Sequence, residues 1–356
     1  MSVAVYDENR IVDFYLTFPP GQWEVLLNQA MVEDDSRWAR CSFSFDGQMF
    51  PEARCRRKGD PMGWRDELKP QIMVRFNFDN KQARFRGLRR LNLESFVGTD
   101  APIRDRLGMW AMREAGVDAP RANHARVFKD GQLLGLYQNI EALDKEFLED
   151  HFGPDSGGNL WDSGIELKTN EDMPDMTRLQ TLQMVVAREP LNADHTEFFK
   201  WLPYVLDVDQ VMHELAAETA ITTDDNFSNG AYNFYYYEHP KRGFVVLPWD
   251  LDTIYNAEAN ADIWGFSDEN MPNKLRQLMN QNPAWQAKFV DKLVMIRDKV
   301  LPRLPARTDF VCNQVAAAYE QDPNRHSTPQ EFRAECDWFK VRVTDRIAGI
   351  RQLLGK

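Results

Sequence analysis

The sequence predicts an α+β protein, with a β-rich first part and a mainly helical remainder. Three observations carry this reading. Asp46-Gly47 and Asp130-Gly131 each lie between apolar runs, the pattern of a two-residue β-hairpin. Residues 71–79 alternate, placing Ile72, Val74, Phe76 and Phe78 on one face of a strand. From residue 143 onward the apolar spacing is mostly helical, interrupted by two apolar runs at 231–237 and 244–249.

The elements follow in order. Cys41 to Phe45 and Met49 to Arg56 form the arms of the first hairpin, and Leu88 to Leu93 is a further short strand. Asp100 and Pro102 open a helix with Ile103, Leu107, Trp110 and Ala111 on one side, and Gly116 stops it. Ala125 to Phe128 and Leu133 to Ile140 form the second hairpin. A helix begins near Leu143 and another covers Val208 to Ile221. Residues 238–243 join the runs at 231–237 and 244–249 into a hairpin, helices resume at Met271, and prolines break the pattern between Leu301 and Pro305. The change of character places a boundary at 141/142, giving residues 1–141 and 142–356.

A chain of 356 residues can bury a substantial core, and 28% charged residues mark it as globular. No run of 18 apolar residues occurs, so no membrane span is expected. The opening Met1-Ser2-Val3-Ala4-Val5-Tyr6-Asp7 has no basic, apolar leader pattern, although a leader trimmed from a longer chain is compatible with it. The net charge of −12 argues against nonspecific nucleic-acid binding. Its distribution is uneven. Residues 54–90 hold twelve Lys/Arg against four Asp/Glu, whereas residues 201–260 hold ten acids against Lys241 and Arg242. One segment suits anions and the other cations. No Cys-x-x-Cys exists among the four cysteines. Cys41 with Cys55 across the first hairpin, and Cys312 with Cys336, are candidate disulfides, and four buried thiols are the alternative.

The phosphate-loop, dinucleotide, zinc-protease and serine-hydrolase motifs are absent, and the six histidines are scattered. The acidic segment is the informative one. Asp224-Asp225-Asn226 forms a polar loop, Asn233 enters a strand, and Asp250 and Asp252 follow the partner strand. A hairpin over 222–252 would gather these groups at one end. Hard oxygen donors of this kind suit Mg²⁺ held with a nucleotide phosphate. The basic segment is the complement: backbone N–H groups of Arg57-Lys58-Gly59 can approach a phosphate, and Lys69 can reach it as a point charge. A nucleotide between the two segments is the resulting expectation.

These residues resemble, in order, those of the CotH kinases, a family named after a bacterial spore-coat protein. Arg57-Lys58-Gly59-Asp60 resembles its Arg-x-Lys/Arg-Gly-Asn, with Asp60 in place of Asn. Lys69-Pro70 with Arg75-Phe76-Asn77, Leu91-Asn92-Leu93 and Arg104 are similar to the next blocks. Gly116-Val117-Asp118-Ala119-Pro120-Arg121 is followed by Gly135-Leu136-Tyr137 and by Glu141 with Asp144-Lys145. Leu247-Pro248-Trp249-Asp250-Leu251-Asp252 is the most recognisable match. The resemblance runs over roughly residues 7–300.

It implies an atypical protein-kinase-like two-lobed fold, with ATP and Mg²⁺ or Mn²⁺ as cofactors and protein serines as substrate. By position, Asp225 is the implied catalytic aspartate with Asp224 as its rival, and Asn233 and Asp250 are the implied metal ligands, with Asp252 a further candidate. Lys69 is the implied phosphate-binding lysine, with Arg57, Lys58, Gly59 and Glu141 also on the cofactor side. Glu114 and Glu141 both stand as the acid that would pair with Lys69. Adenylylation, glutamylation and a catalytically dead binding protein are the competing readings. The acidic surface favours basic, serine-containing substrate segments by steering. The family's secreted and coat members tilt the compartment towards extracytoplasmic, and the sequence does not fix an oligomeric state.

Overall fold

In the computed structural model, residues 2–28, 37–58, 68–95, 101–223, 225–264 and 270–355 are described. Among these described residues the strands are, in chain order, β1 Val12–Thr17, β2 Ala39–Phe45, β3 Gln48–Arg57, β4 Ile72–Arg75, β5 Arg90–Glu94, β6 Ala122–Lys129, β7 Gln132–Ile140, β8 Leu160–Asp162, β9 Glu166–Leu167, β10 Phe234–His239 and β11 Gly243–Pro248. The helices are α1 Gln22–Leu27, α2 Arg104–Ala115, α3 Lys145–Phe152, α4 Thr177–Arg188, α5 Thr196–Trp201, α6 Val208–Ile221, α7 Met271–Asn280, α8 Pro283–Lys299, α9 Leu304–Gln321 and α10 Pro329–Leu354. A β-rich first part and a largely helical remainder follow one another as the composition of the chain implies.

Two compact units are present. The first comprises Met1–Arg106, Arg121–Ala142 and Thr308–Trp338; the second comprises Leu107–Pro120, Leu143–Arg307 and Phe339–Lys356. The first part of the chain is therefore not self-contained, because most of α9 and the start of α10 return to it, while Leu107 onward in α2 belongs to the second unit.

The first unit is a closed barrel in the order β1-β2-β3-β4-β5-β7-β6. Neighbours are antiparallel except β1 and β6, which run parallel and close the barrel. Closure removes the open edges that a flat sheet would present. Phe14, Phe43, Phe45, Phe76 and Phe85 fill the interior, with ring centroids 5.0–5.3 Å apart in edge and tilted arrangements. Both hairpin turns have positive φ at their two central residues, Asp46 (48°) with Gly47 (74°) and Asp130 (49°) with Gly131 (83°). That geometry matches the twist of the flanking strands and explains the Asp-Gly choice.

The 71–79 segment differs from its sequence reading. Only Ile72–Arg75 form strand β4. Phe76 still faces the core and its N–H donates to the Arg89 carbonyl at 2.7 Å, but the turn-forming run Asn77–Asn80 then bends the chain away.

Cys41 bonds Cys55 and Cys312 bonds Cys336. The first bridge is not between directly opposed residues. Cys41 lies opposite Ala53 and Cys55 opposite Ala39, so the link runs diagonally across the ladder. The second ties α9 to α10.

The second unit carries a sheet in the order β11-β10-β8-β9 with helices around it. Its central helix α6 starts at Asp207, whose carboxylate accepts the Gln210 N–H at 3.0 Å, and stops at Thr222 in the left-handed region. From Glu214 to Ile221 every residue of α6 is buried, so this helix is enclosed on all sides.

Each disulfide closes a loop, of 14 and 24 residues in sequence separation. Non-reducing peptide mapping should return these two pairings. Reduction should cost roughly 3 kcal/mol per bridge in urea unfolding, the chain-entropy expectation for loops of this size.

Candidate functional site

Asp225, Asn233 and Asp250 of the acidic segment lie at one end of the β10–β11 hairpin. Phe234 pairs with Pro248, so Asn233 and Trp249 face each other just beyond the last rung, and the Trp249 N–H donates to the Asn233 carbonyl at 3.0 Å. Asp250 follows directly. Asn233 (φ 55°) and Asp250 (φ 49°) both adopt left-handed backbone, which Asn and Asp enter more readily than other non-glycine residues. The Asn233 amide Nδ2 donates twice to Asp225, to its carboxylate Oδ2 at 3.0 Å and to its backbone carbonyl at 3.1 Å. Asp225 and Asn233 are thereby locked together, and Oδ1 of Asn233 is the atom of that side chain suited to a cation.

Asp250 is exposed, and Asp225 and Asp252 are partly so, whereas Leu251 between the two aspartates is fully buried. Leu251 packs on α2 at Gly108, where an added Cβ would lie 2.8 Å from the Leu251 Cβ. The glycine lets the helix approach and so seats the Asp250-Leu251-Asp252 segment. Asp225 is bounded by Gly230, whose Cβ would come 3.2 Å from Oδ1. Asp224, the rival catalytic aspartate, lies outside the described residues.

Among the described residues no group of three His, Cys, Asp or Glu side chains is placed to hold a metal ion. The set expected from the sequence is of another kind: carboxylates joined by one amide oxygen. Those all-oxygen donors match the chemistry of a hard divalent cation.

Behind this loop lies a buried polar network that sequence reasoning missed. Glu214, Glu218, Ser228 and Arg276 are all buried. Burial raises the Glu218 carboxyl from 4.5 to about 7 and raises Glu214 well above its ordinary value, with the neighbouring Glu218 charge as a second cause. Burial also lowers Arg276 to about 10. Glu214 and Glu218 sit one helical turn apart, the only trace of the network in the sequence.

In the first unit, Lys69 precedes β4 and is fully buried. Its Nζ donates to Asp322 Oδ2 at 2.6 Å and lies 5.5 Å from the centre of the Tyr137 ring. Asp322 Oδ2 also accepts the Leu136 N–H at 2.9 Å, and Oδ1 accepts the Asn324 N–H at 2.8 Å. A Cβ on Gly135 would come within 2.8–2.9 Å of both Asp322 oxygens and of the Lys69 Cε, so glycine is required there. Neither glutamate considered as the partner of Lys69 fills that role. Glu114 binds Arg303 at 2.6 Å, and Glu141 accepts the Arg121 backbone N–H at 3.0 Å and Nε at 2.9 Å. Asp322 stands 253 residues from Lys69, beyond the reach of any local motif. Arg57 donates to the Leu27 carbonyl at 3.3 Å, and Lys58 is ion-paired with Glu94. Gly59 and the rest of its loop, residues 59–67, lie outside the described residues.

An α+β chain with oxygen donors gathered at the end of a hairpin has the organisation of a kinase-like protein. A family model described as "CotH kinase protein" matches residues 69–348, most of the chain, and the chain belongs to that family. It is 24% identical over 200 residues to the inner spore coat protein H of Bacillus subtilis (strain 168), which is 50% of this chain and 53% of that protein. The match thus spans about half the length of that relative. Among solved structures, the Helicobacter pylori proinflammatory kinase CtkA aligns with 80% of this chain and 92% of its own at 11% identity and a TM-score of 0.35. The HipA–HipB–operator DNA complex of Shewanella oneidensis MR-1 aligns with 75% and 58% at 12% identity and a TM-score of 0.35. The family assignment does not rest on these two.

Two outcomes follow from the buried charges. Asp322→Asn takes a bonded counter-charge from the buried Lys69 ammonium and should cost about 3–5 kcal/mol in urea unfolding. For Glu218, the folded state retains a proton that the unfolded chain gives up near 4.5. The stability this group contributes is complete below pH 4.5 and is lost as pH rises through about 7. Urea midpoints measured across that window should fall less steeply in Glu218→Gln than in the parent protein.

Proposed function

We propose that this protein is an ATP- and divalent-metal-dependent kinase that phosphorylates serine hydroxyls on protein substrates. The observation that carries the reading is the Asp225–Asn233 lock at the hairpin end, directly beside Asp250. It joins a carboxylate able to accept a hydroxyl proton to a set of hard oxygen donors. Asp225 is the proposed base. Asn233, Asp250 and Asp252 would hold Mg²⁺ or Mn²⁺, which when bound supplies charge neutralisation on the transferring phosphate. Lys69 is the proposed phosphate-binding lysine, an ammonium point charge in the basic segment whose position Asp322 fixes. Arg57, Lys58 and Gly59 would add donors from the basic loop, and Glu141 would serve the cofactor side through the Arg121 it holds.

Phosphoryl transfer asks little covalent chemistry of the protein. Positioning and electrostatics do most of the work. The fixed amide of Asn233 orients Asp225 before substrate arrives, so that no reorganisation is needed at the moment of transfer. Basic, serine-containing segments are the proposed substrates, drawn by the net charge of −12. The two disulfides and the likeness to a coat protein support an extracytoplasmic site of action.

Asp225→Asn keeps shape and removes the base. It should lower phosphate transfer to a basic serine peptide about 10²–10⁴-fold, the range for a lost general base, while nucleotide affinity persists. Asp250→Asn should instead raise the metal concentration needed for half-maximal rate. If Asp225→Asn turns over at the parent rate while Asp250→Asn is inactive, the assignment of the base is wrong.

A further inference from the structure

The loop that carries Asp225 is held from behind by groups that phosphoryl transfer does not itself use. Glu218 on α6 accepts the Phe227 N–H through Oε1 at 3.2 Å and the Ser228 hydroxyl through Oε2 at 3.1 Å. The same Ser228 oxygen accepts Nη1 of Arg276, on α7, at 2.9 Å. Nη2 of Arg276 donates to Thr219 Oγ1 at 2.8 Å and to the Ile263 carbonyl at 2.7 Å. Glu218, Ser228 and Arg276 are each no more than 2% exposed. Between them and Asp225 the chain is a tight turn: Asn226 N–H donates to the Asn229 carbonyl at 2.7 Å, and Asn226 Oδ1 accepts the Asn229 N–H at 2.9 Å.

This is an expensive way to fill a core. Two carboxyl groups and a guanidinium in a buried interior are commonly no better than neutral in stability relative to apolar side chains of the same volume. Directional hydrogen bonds do, however, specify one arrangement where apolar packing tolerates several. The arrangement specified here is that of the residues directly after Asp225. A displacement of about 1 Å at a reacting group can cost 10²-fold in rate, so rigidity at this point has a catalytic consequence.

We propose that Glu218, Ser228 and Arg276 form a clamp that positions Asp225. Ser228 is the link, since its one hydroxyl donates to Glu218 and accepts from Arg276. These are positioning residues that act through the 225–230 turn. The inference rests on the assignment of Asp225 as base, but the clamp itself has a readout independent of turnover.

Ser228→Ala removes the link with little change in volume. Hydrogen exchange of peptides spanning 225–233 should speed up in this variant, while peptides from α8 keep their parent rates. kcat should fall roughly 10–100-fold with unchanged affinity for a non-hydrolysable ATP analogue, a split that general destabilisation would not produce. Glu218→Gln, which keeps an acceptor for Phe227, should retain more activity than Glu218→Leu. Parent exchange rates in 225–233 for Ser228→Ala, or faster exchange with an unchanged kcat, would overturn the clamp. Faster exchange in a protein whose parent form transfers no phosphate would uphold the clamp as the device that holds this loop, and would refute the kinase reading alone.

Discussion

The candidate site depends on a single side-chain amide. Asn233 sits where β10 begins, in a backbone conformation that costs a non-glycine residue energy, and spends its Nδ2 on the carboxylate and carbonyl of Asp225. Its own carbonyl closes the hairpin by accepting the Trp249 N–H. A loop residue, a strand end and the start of the Asp250-Leu251-Asp252 segment are therefore fixed by one residue. The elements around it serve that constraint: the β10–β11 register brings Asn233 opposite Trp249, and Gly108 lets α2 approach closely enough to seat Leu251.

Much of this was legible in the sequence because it is local. The two Asp-Gly turns declare themselves, since few other dipeptides tolerate two successive positive φ values. Helix α6 and the hairpin that follows are read from apolar runs with little between them. The placement of Asn233 beside Asp250 follows from the hairpin, and Asp225 joins them through the Asn233 amide. What stayed hidden depends on contacts between distant segments. Closure of the barrel by parallel pairing of β1 with β6 leaves no pattern in either strand. Asp322 reaches Lys69 only because most of α9 folds back onto the barrel, and nothing in the residues around Asp322 distinguishes it from a helix-end aspartate before proline. Strand β4 shows the opposite failure, an alternation of nine residues of which the backbone uses four.

Buried charge recurs in both units. Lys69–Asp322 in the first and Glu218–Ser228–Arg276 in the second are each hydrogen-bonded and buried. Such groups add little to stability and are costly when broken. Their common effect is to fix one conformation of a short segment: the approach to β4 in one case, the 225–230 turn in the other. Both segments belong to a chain of the CotH kinase family. A fold does not by itself decide which group of the nucleotide is transferred.

The direct measurement is therefore the mass of an intact protein substrate after incubation with this protein, ATP and Mg²⁺ or Mn²⁺. The account requires an increment of one phosphate, located on serine, that is absent when the metal is chelated. An increment of a nucleotide or of an amino acid, or no increment at all with either metal, would contradict it.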